Sequence, residues 1–511
     1  MSQKNKTFFR FSEDILRDPI EVTRSSTVHY FCHNDNMTTQ IHFMNYWLEK
    51  RDVVDIKMVL TLRTMEGKTV FQEQTLIKSK GAHIIEISEL LKKIFHDKKI
   101  SEGSIEVEFF SKTNLVISYP ASVVRYVGNT WHTLAHSSQR YFSKDSGDNS
   151  TRLSEIEEAE EGNITIHNDD NLEPFFIIHN GPKHISQTNI QVKVTSQNGA
   201  ELLGTIKNIE WLPYQTRLFH LKDILDYRKF LKQNHGMLTV KFDVFGVFPR
   251  IIAGHKSKIT GSWSIDHTNF AASDGPVLDD RFDVSHNKDF KNLVFCMPNN
   301  FKDKWECFAD IYPTYPDDDY EVTVNKIKLN GDKNIEHFKL KKSTTSGFPR
   351  IRAHEDANYE IIFNHNSKLP RRFHMGIHYK IGSGNYGFLT DGPFPFAHPA
   401  NRTRWFPVFD SSNCDNFVML ANRVLGSEKS RDLELQFKLF NSFNEEPLIG
   451  KYTLLANQAI CLNIRELFSE LTDFLRGKFG WIYMTGTNPH RCVVHYASVK
   501  NQNSLALCHA F

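Results

Sequence analysis

Apolar and polar residues alternate with period two along most of the chain, and the alternation breaks at turns containing Asn, Gly or Pro. Residues 55–70 alternate around Glu66-Gly67, and residues 189–202 alternate around Asn198-Gly199. Two alternating runs joined by such a dipeptide are typical of a β-hairpin. The pattern therefore predicts a mainly β protein.

Apolar residues change to helical spacing after three of the predicted strands. The shared core is apolar-x-acid-apolar-apolar and begins at Ile87, Leu221 and Ile464. An acidic residue early in a helix complements the helix dipole. A third copy of the surrounding pattern has only residues 337–348 at this place, so we expect its helix to be missing or cut to a turn.

The same order of features recurs four times: an opening strand with an Asn-containing turn, a hairpin, a strand with a short helix, a further strand, a Pro-led strand and a polar end. The polar residues that close the four copies are His136, His267, Thr390 and His509, separated by 131, 123 and 119 residues. We predict four tandem sandwich-like β domains with a short helix inserted in units 1, 2 and 4.

Changes of composition suggest the unit boundaries. One connector is rich in Glu, and another contains Asp274-Gly275-Pro276, which is a turn signal. The predicted segments are an N-terminal segment 1–27, β unit 1 at 28–142, an acidic linker at 143–162, β unit 2 at 163–270, a linker at 271–290, β unit 3 at 291–397 and β unit 4 at 398–511.

The charge balance excludes several classes of partner. Lys and Arg number 62 and Asp and Glu number 60, so the net charge is +2, without the basic excess of a nucleic-acid-binding protein. The chain contains no apolar run of about 20 residues, as a membrane span requires, and no apolar signal-peptide region near Met1. We expect a soluble, cytoplasmic protein, compatible with an oligomer.

The ends of units 1 and 2 hold the most suggestive candidate chemistry, because each combines a Trp with polar groups. An aromatic ring stacks on the C–H face of a sugar while the polar groups bind its hydroxyls. In the alternative interpretation the Trp is a core residue and the polar groups pair with a neighbouring loop. The predicted ligand-binding residues are Trp131, His132, His136, Arg140, Trp263, Asp266, His267 and Asn269.

Arg404 is a further candidate, in the basic and aromatic segment 398–409. A guanidinium presents a planar fork to an anionic sugar or a phosphate. The alternative is a solvated linker with its Trp buried in the next core.

Known catalytic and metal-binding motifs are missing from the sequence. It contains no HExxH, GxSxG or phosphate loop. The Gly-rich run at Gly382-Ser383-Gly384-Asn385 leads from one predicted strand into another, which indicates a hairpin turn and not a dinucleotide-binding loop. The nearest metal-ligand cluster is His29, His33 and Asp35, and the turn at Asn34 would break it. Seven dispersed cysteines without a CxxC indicate reduced, buried thiols. We expect no metal and no cofactor.

The plan of each unit resembles the sensory rhodopsin transducer-like small β-sandwich superfamily. The resemblance lies in the order of the strands, covers most of the chain and involves no diagnostic motif. The short helix in units 1, 2 and 4 departs from it. The resemblance implies small-molecule binding with links to carbohydrate metabolism, and four fused units that mimic a tetramer.

These observations predict a non-catalytic binding or assembly protein whose partner is a carbohydrate-like small molecule or glycan. One alternative is a sugar- or polysaccharide-modifying enzyme with His136 or His267 as the acid or base. The other alternative is a purely structural component of a virion or filament.

Overall fold

The structure is a computed structural model, and it describes most of the chain. The described residues are 7–9, 20–94, 101–113, 115, 122–136, 157–232, 234–244, 250–270, 290–295, 305–312, 320–328, 333–340, 348–353, 357–364, 375–381, 385–391, 394–395, 403–409, 414–422, 431–486, 491–498 and 504–510.

Unit 1 contains two helices, α1 (Tyr46–Arg51) and α2 (Ile87–Ile94). The hairpin turn at Gly67 has a positive φ of 86°, which favours glycine. The strands of the unit are β1 (Thr7–Phe9), β2 (Ile20–Cys32), β3 (Met37–Met44), β4 (Lys57–Thr64), β5 (Thr69–Leu76), β6 (Ala82–Glu86), β7 (Glu102–Ser111), β8 (Ser122–Gly128) and β9 (His132–Ala135).

Unit 2 contains a 3-10 turn at Leu221–Asp223 and helix α3 (Tyr227–Leu231), which Asp226 caps by accepting from the backbone N–H of Lys229. Its strands are β10 (Glu157–Ile166), β11 (Leu172–His179), β12 (Ile185–Ser196), β13 (Glu201–Trp211), β14 (Thr216–His220), β15 (Gly236–Val244), β16 (Ile252–Ser257), β17 (Trp263–His267) and β18 (Asn269–Phe270).

Unit 3 is built from strands alone among the residues that the structure describes. They are β19 (Phe290–Phe295), β20 (Glu306–Ile311), β21 (Tyr320–Lys328), β22 (Lys333–Leu340), β23 (Arg350–Ala353), β24 (Ala357–Asn364), β25 (Met375–Ile381), β26 (Asn385–Asp391) and β27 (Phe394–Pro395).

Unit 4 contains helices α4 (Ile464–Leu467) and α5 (Leu471–Leu475), and Asn463 caps the first of them. Its strands are β28 (Arg404–Val408), β29 (Cys414–Ala421), β30 (Leu433–Asn441), β31 (Leu448–Leu454), β32 (Ala459–Asn463), β33 (Gly480–Gly486), β34 (Arg491–Ser498) and β35 (Leu505–His509).

All four units share one topology of eight antiparallel strands, beginning at β2, β10, β19 and β28. Sheet I of a unit contains its fourth, third, sixth and first strands in spatial order, and sheet II contains its fifth, second, seventh and eighth. Strands β1, β18 and β27 extend sheet I beside the first strand. Both sheets contribute to one apolar core, as Val192 of β12 and Phe176 of β11 do in unit 2. The predicted fold class is confirmed.

The four units close into a ring. The eighth strands contact one another in cyclic order, β9 with β17, β17 with β26, β26 with β35, and β35 with β9. Sheet II of each unit also faces the first strand of the unit before it, as Trp263 faces Tyr30 and Phe409 faces His132. Such head-to-tail contacts between like units form a closed ring when the rotation closes.

The predicted boundary between units 1 and 2 needs correction, because residues 157–162 form the start of β10 and are not a linker. Glu160 of β10 lies opposite Lys241 of β15, so the acidic strand pairs with a basic neighbour. Glu161 is buried and accepts a hydrogen bond from Thr268 Oγ1. The opening strand of unit 2 is therefore β10. Residues 172–179 form the second strand, β11.

Two other boundaries differ in the same way. Residues 20–27 of the predicted N-terminal segment already belong to β2, and Phe290 of the predicted second linker opens β19. Residues 143–156 and 271–289 lie outside the described residues. Helix α1, between the second and third strands of unit 1, was not predicted, because Tyr46 and Trp47 are apolar residues that continue the β pattern before it.

Candidate functional site

Three clefts lie at three of the four junctions of the ring, and we name each by the units that form it: cleft 4/1, cleft 1/2 and cleft 2/3. Their volumes are about 510, 680 and 250 Å³, respectively. Each is formed by the outer face of sheet II of one unit and by residues of the unit before it, among them the residue just before the first glycine of the sixth strand. That residue is Phe479, Glu102 or His235, respectively, and Glu102 is itself the first residue of β7.

Strand register shows that the clefts are equivalent places in the fold. Five sheet II positions that line cleft 4/1 have counterparts that line the other two clefts. Taken in the order 4/1, 1/2 and 2/3, the equivalent residues are Gln40, Phe175 and Phe308; Ile84, Leu218 and Arg350; Glu86, His220 and Arg352; Val127, Lys256 and Lys380; and His132, Trp263 and Tyr386.

This register places His132, and not Trp131, in the position of Trp263. Trp131 lies one residue earlier and packs over Gly128, where a Cβ would come within 2.1 Å of its Nε1 atom. From there Trp131 lines both cleft 4/1 and cleft 1/2. It is a wall between two neighbouring cavities.

A chain of hydrogen bonds crosses the polar side of cleft 4/1. Gln40 Nε2 donates to both carboxylate oxygens of Glu86, at 2.9 and 3.1 Å. Gln40 Oε1 accepts from Arg125 Nη1 at 3.3 Å, and Arg125 Nη2 donates to His132 Nδ1 at 2.8 Å. The guanidinium lies 4.0 Å from the ring centre of Phe409. These contacts fix the orientation of the Gln40 amide.

His42 lies at the base of cleft 4/1, fully buried between the rings of Phe409 and Phe479, at centroid distances of 5.2 and 4.5 Å. Burial and the nearby Arg125 guanidinium hold the pKa of His42 well below its usual value, so the imidazole is neutral. Its Nε2–H donates to Gln40 Oε1 at 3.2 Å. The remaining Nδ1 is a buried acceptor that meets no hydrogen-bond partner among the described residues.

The Glu86 carboxyl has a raised pKa, because burial disfavours its charged form, although the hydrogen bond from Gln40 and the charges of Arg125 and Lys478 oppose the rise. The cleft thus offers the Glu86 carboxyl group and an imidazole nitrogen as acceptors, and a guanidinium and the amino group of Lys478 as donors. Trp131, Phe409 and Phe479 add apolar surface.

Cleft 1/2 brings together the two predicted tryptophans. Trp263 stacks on Tyr30 at 6.2 Å and packs against Phe175 at 4.9 Å, and Trp131 lines the same cavity. Tyr30 Oη donates to Glu102 Oε2 at 2.6 Å. Trp263 has only 8% of its surface exposed, so it joins units 1 and 2 as a packing residue.

Behind cleft 2/3 lies a buried polar network between units 2 and 3. Asp310 accepts two hydrogen bonds from Arg350, at 2.6 and 2.7 Å, and one from Thr165 Oγ1 at 2.7 Å. His378 lies 3.4 Å from the same carboxylate and hydrogen-bonds to His167 at 3.2 Å. Burial would raise the pKa of Asp310, but the hydrogen bonds and charge of Arg350 hold it below its usual value.

Among the other predicted site residues, His136 and His267 meet across the junction of units 1 and 2 with ring centroids 4.1 Å apart. Asp266 and His267 are buried, and the ring of His267 hydrogen-bonds to the carbonyl of Thr268 at 2.8 Å. His136, Asp266 and His267 are not among the residues that line the three clefts. These side chains belong to the centre of the ring.

The last three predicted residues are placed as follows. Asn269 lies in β18 opposite Gly162, and Arg404 begins β28 opposite Met484. Arg140 lies outside the described residues. Arg404 is not among the residues that line the three clefts.

Sequence reasoning missed most of cleft 4/1, including Gln40, His42, Glu86, Arg125 and Phe479. Gln40 and His42 are two residues apart on β3, and period-two spacing places them on one face. That spacing was the one available signal. The positions of Gln40 and His42 carry Phe417 and Met419 in unit 4, and both side chains pack in the apolar core of unit 3.

Within the described part of the chain, no group of three or more His, Cys, Asp or Glu side chains is arranged to hold a metal ion. None of the described helices has the length and apolar character needed to cross a membrane. A comparison of the chain with models of known protein families gave no match. A comparison with curated protein sequences gave none either.

Proposed function

We propose that this protein is a non-catalytic carbohydrate-binding protein and that its ligand occupies cleft 4/1. The observation that carries the proposal is the buried Nδ1 acceptor of His42, which meets no hydrogen-bond partner among the described residues. His42 lines a cavity that also holds a carboxyl group, a guanidinium and aromatic walls. A buried acceptor without a partner is costly, so a ligand hydroxyl that donates to His42 Nδ1 would be bound favourably.

The composition of the cleft suits a sugar. A ligand hydroxyl can donate to Glu86 or His42 and accept from Arg125 or Lys478, while Trp131 covers an apolar ring face. The volume of about 510 Å³ lies within the usual range of small-molecule sites, roughly 300–1,000 Å³. Such a cavity suits a monosaccharide or disaccharide.

Binding is favoured over catalysis because Gln40 separates the titratable groups. Its amide N–H group donates to Glu86 on one side, and its amide oxygen accepts from His42 and Arg125 on the other. An acid–base pair would need its carboxylate and imidazole to converge on one bond of the substrate. In cleft 4/1 both are held by the same neutral amide.

The resemblance to the sensory rhodopsin transducer-like superfamily is a further part of this proposal. A ring of four like units in one chain supports it, since that superfamily includes small-molecule-binding tetramers. The clefts between units would then be the binding sites inherited from such a tetramer, each modified separately within the fused chain.

A glycan array of neutral mono- and oligosaccharides, probed with the full chain, tests the proposal, with isothermal titration of the best sugar. We expect Glu86→Gln to weaken that sugar about tenfold, because a charged acceptor becomes neutral. His42→Phe, which removes the Nδ1 acceptor and keeps a ring, should weaken it as well. Glu434→Gln is the matched control, since Glu434 is exposed and hydrogen-bonds to Thr453 outside the clefts.

Two results would overturn the proposal. One is an array without binding by a folded protein that forms large assemblies in solution, which supports the structural alternative. The other is sugar binding that Glu86→Gln and His42→Phe leave unchanged. Turnover of the bound sugar would instead support the enzyme alternative.

A further inference from the structure

Cleft 2/3 carries a cationic residue at the position that Glu86 occupies in cleft 4/1. Arg352 occupies the place of Glu86, Lys380 the place of Val127 and Arg350 the place of Ile84. The backbone frame is the same, but three cationic side chains line the cavity together with one acidic residue, Glu306. The two clefts therefore select different ligands.

The ion pairs of cleft 2/3 leave a positive balance. Arg350 is neutralised by Asp310, which it contacts through two nitrogens at 2.6 and 2.7 Å. Arg352 pairs with Glu306 at 2.9 Å in an exposed contact that solvent weakens. Lys380 lies 5.6 Å from the ring centre of Tyr386, over an aromatic face. Three cations thus face two carboxylates.

His235 adds a second observation. It lines cleft 2/3 from unit 2, and its buried Nδ1 meets no hydrogen-bond partner among the described residues. Burial, followed by the charge of Arg350, lowers its pKa to about 4, so the imidazole is neutral at pH 7. A neutral imidazole that carries its proton on Nδ1 can donate that N–H to an anionic oxygen.

We propose that cleft 2/3 is a second binding site, which takes a compact anionic group, a phosphate or a carboxylate. Arg352 and Lys380 supply the charge, His235 supplies a directed hydrogen bond, and Phe308 and Tyr386 form apolar walls. A volume of about 250 Å³ suits a single such group with a small substituent. The site is independent of the sugar proposed for cleft 4/1.

Titration of the full chain with inorganic phosphate at low ionic strength, followed by phosphorus NMR and calorimetry, tests this site. Saturable binding of one phosphate is expected, weakened by added salt because the contacts are exposed. Lys380→Ala and Arg352→Ala should each weaken it about tenfold, the effect of losing a charge-assisted hydrogen bond. Acetate, used as a second probe, distinguishes the two kinds of anionic group. Tighter binding of phosphate indicates a ligand with a phosphate group, and tighter binding of acetate indicates a ligand with a carboxylate.

Lys326→Ala is the matched control, because Lys326 also lies over a tyrosine, at 6.0 Å from the ring centre of Tyr359, but outside the cleft. Arg350 stays unchanged in these variants, since it neutralises buried Asp310. Circular dichroism checks that each variant is folded. The proposal would be overturned if the protein bound neither anion, or if the Lys380→Ala/Arg352→Ala double variant bound phosphate as the unchanged protein does. Glu86→Gln should leave the phosphate affinity unchanged, whether or not cleft 4/1 binds a sugar.

Discussion

Ser504 and His132 are joined by two hydrogen bonds although 372 residues separate them: the His132 backbone N–H donates to Ser504 Oγ at 2.9 Å, and that hydroxyl donates to the His132 carbonyl at 2.9 Å. The pair links the last strand of the chain to the last strand of unit 1. Between the same two units, Tyr46 stacks on Trp405 at 4.8 Å and Lys438 pairs with Glu49 at 2.8 Å. These contacts close the ring between units 4 and 1, and His132 also lines cleft 4/1.

Ser504→Ala should loosen this closure. It leaves a buried backbone N–H and a buried carbonyl of His132 without their partner, which costs about 2 kcal/mol. Urea unfolding should shift to lower concentration, and amide exchange of the β9 and β35 peptides should accelerate. Ser262→Ala is the control: Ser262 hydrogen-bonds to Thr260 within one turn, so we expect a change below about 0.5 kcal/mol. Equal exchange rates in the two variants would contradict this role for Ser504.

Gly128→Ala should displace Trp131. The added Cβ would lie 2.1 Å from Nε1 and 2.4 Å from Cε2 of the indole, so the ring must move. Because Trp131 lines two clefts, we expect a shifted tryptophan emission, a loss of stability of about 1–3 kcal/mol and altered binding in cleft 4/1. The control is Gly261→Asn, where nothing lies within 4 Å of the added Cβ and the φ of +68° is one that Asn tolerates. Unchanged tryptophan emission in Gly128→Ala would contradict the packing of Trp131 over Gly128 between the two clefts.

The junction of units 2 and 3 should weaken in mild acid. Burial lowers the pKa of His255 to about 3 and that of His235 to about 4, and it holds the pKa values of His167 and His378 well below their usual range. A histidine whose pKa is lower in the folded protein than in the unfolded chain, where it is about 6.5, binds a proton more readily when the chain unfolds. The folded protein is therefore fully stable above about pH 6.5 and loses stability as the pH falls below that value. Between pH 6.5 and 5 each such histidine can remove up to about 2 kcal/mol.

Urea unfolding at pH 7, 6 and 5 measures this loss. His255→Gln should flatten the pH dependence, since glutamine does not titrate and still offers an acceptor to the backbone N–H of His167, which His255 Nε2 accepts at 3.2 Å. His184→Gln is the control, because His184 is exposed and pairs with Glu210 outside the junction. A pH dependence that is the same in both variants would show that the buried histidines are not its source.

Much of the fold could be predicted from local pattern. The turns at Gly67 and Gly199 have the positive φ that their dipeptides indicated, and the helices begin where apolar spacing changes, at Ile87 and Ile464. Strand β10 was missed because its acidic residues hide the alternation. Its partner Lys241 lies far along the chain, so only the sheet shows why Glu160 belongs in a strand.

Cleft 4/1 could not be found in this way, because its parts come from distant segments. His42 and Gln40 lie on β3 and Glu86 on β6, whereas Phe409 and Phe479 come from unit 4. Each is unremarkable in its own stretch of sequence. Of the residues predicted at the unit ends, Trp131 and His132 line cleft 4/1.

Two ion pairs at cleft 2/3, Asp310–Arg350 and Glu306–Arg352, differ mainly in burial. The Asp310 carboxylate is fully buried and its partner Arg350 is 18% exposed, whereas Glu306 and Arg352 are 55% and 66% exposed. Removing one member of a buried pair leaves an uncompensated charge, so Asp310→Asn should cost about 3 kcal/mol. Arg352→Gln should cost less than about 1 kcal/mol, because solvent screens the exposed pair.

A double-mutant cycle isolates the buried interaction. In Asp310→Asn/Arg350→Met no uncompensated charge remains, so the double variant should be more stable than the sum of the two single losses implies, with a coupling above about 1 kcal/mol. The corresponding cycle on Glu306 and Arg352 should give a coupling near zero. Equal couplings for the two pairs would mean that the network around Asp310 does not hold units 2 and 3 together. A large coupling at Asp310 alone would identify that network as the fixed support behind the anion site.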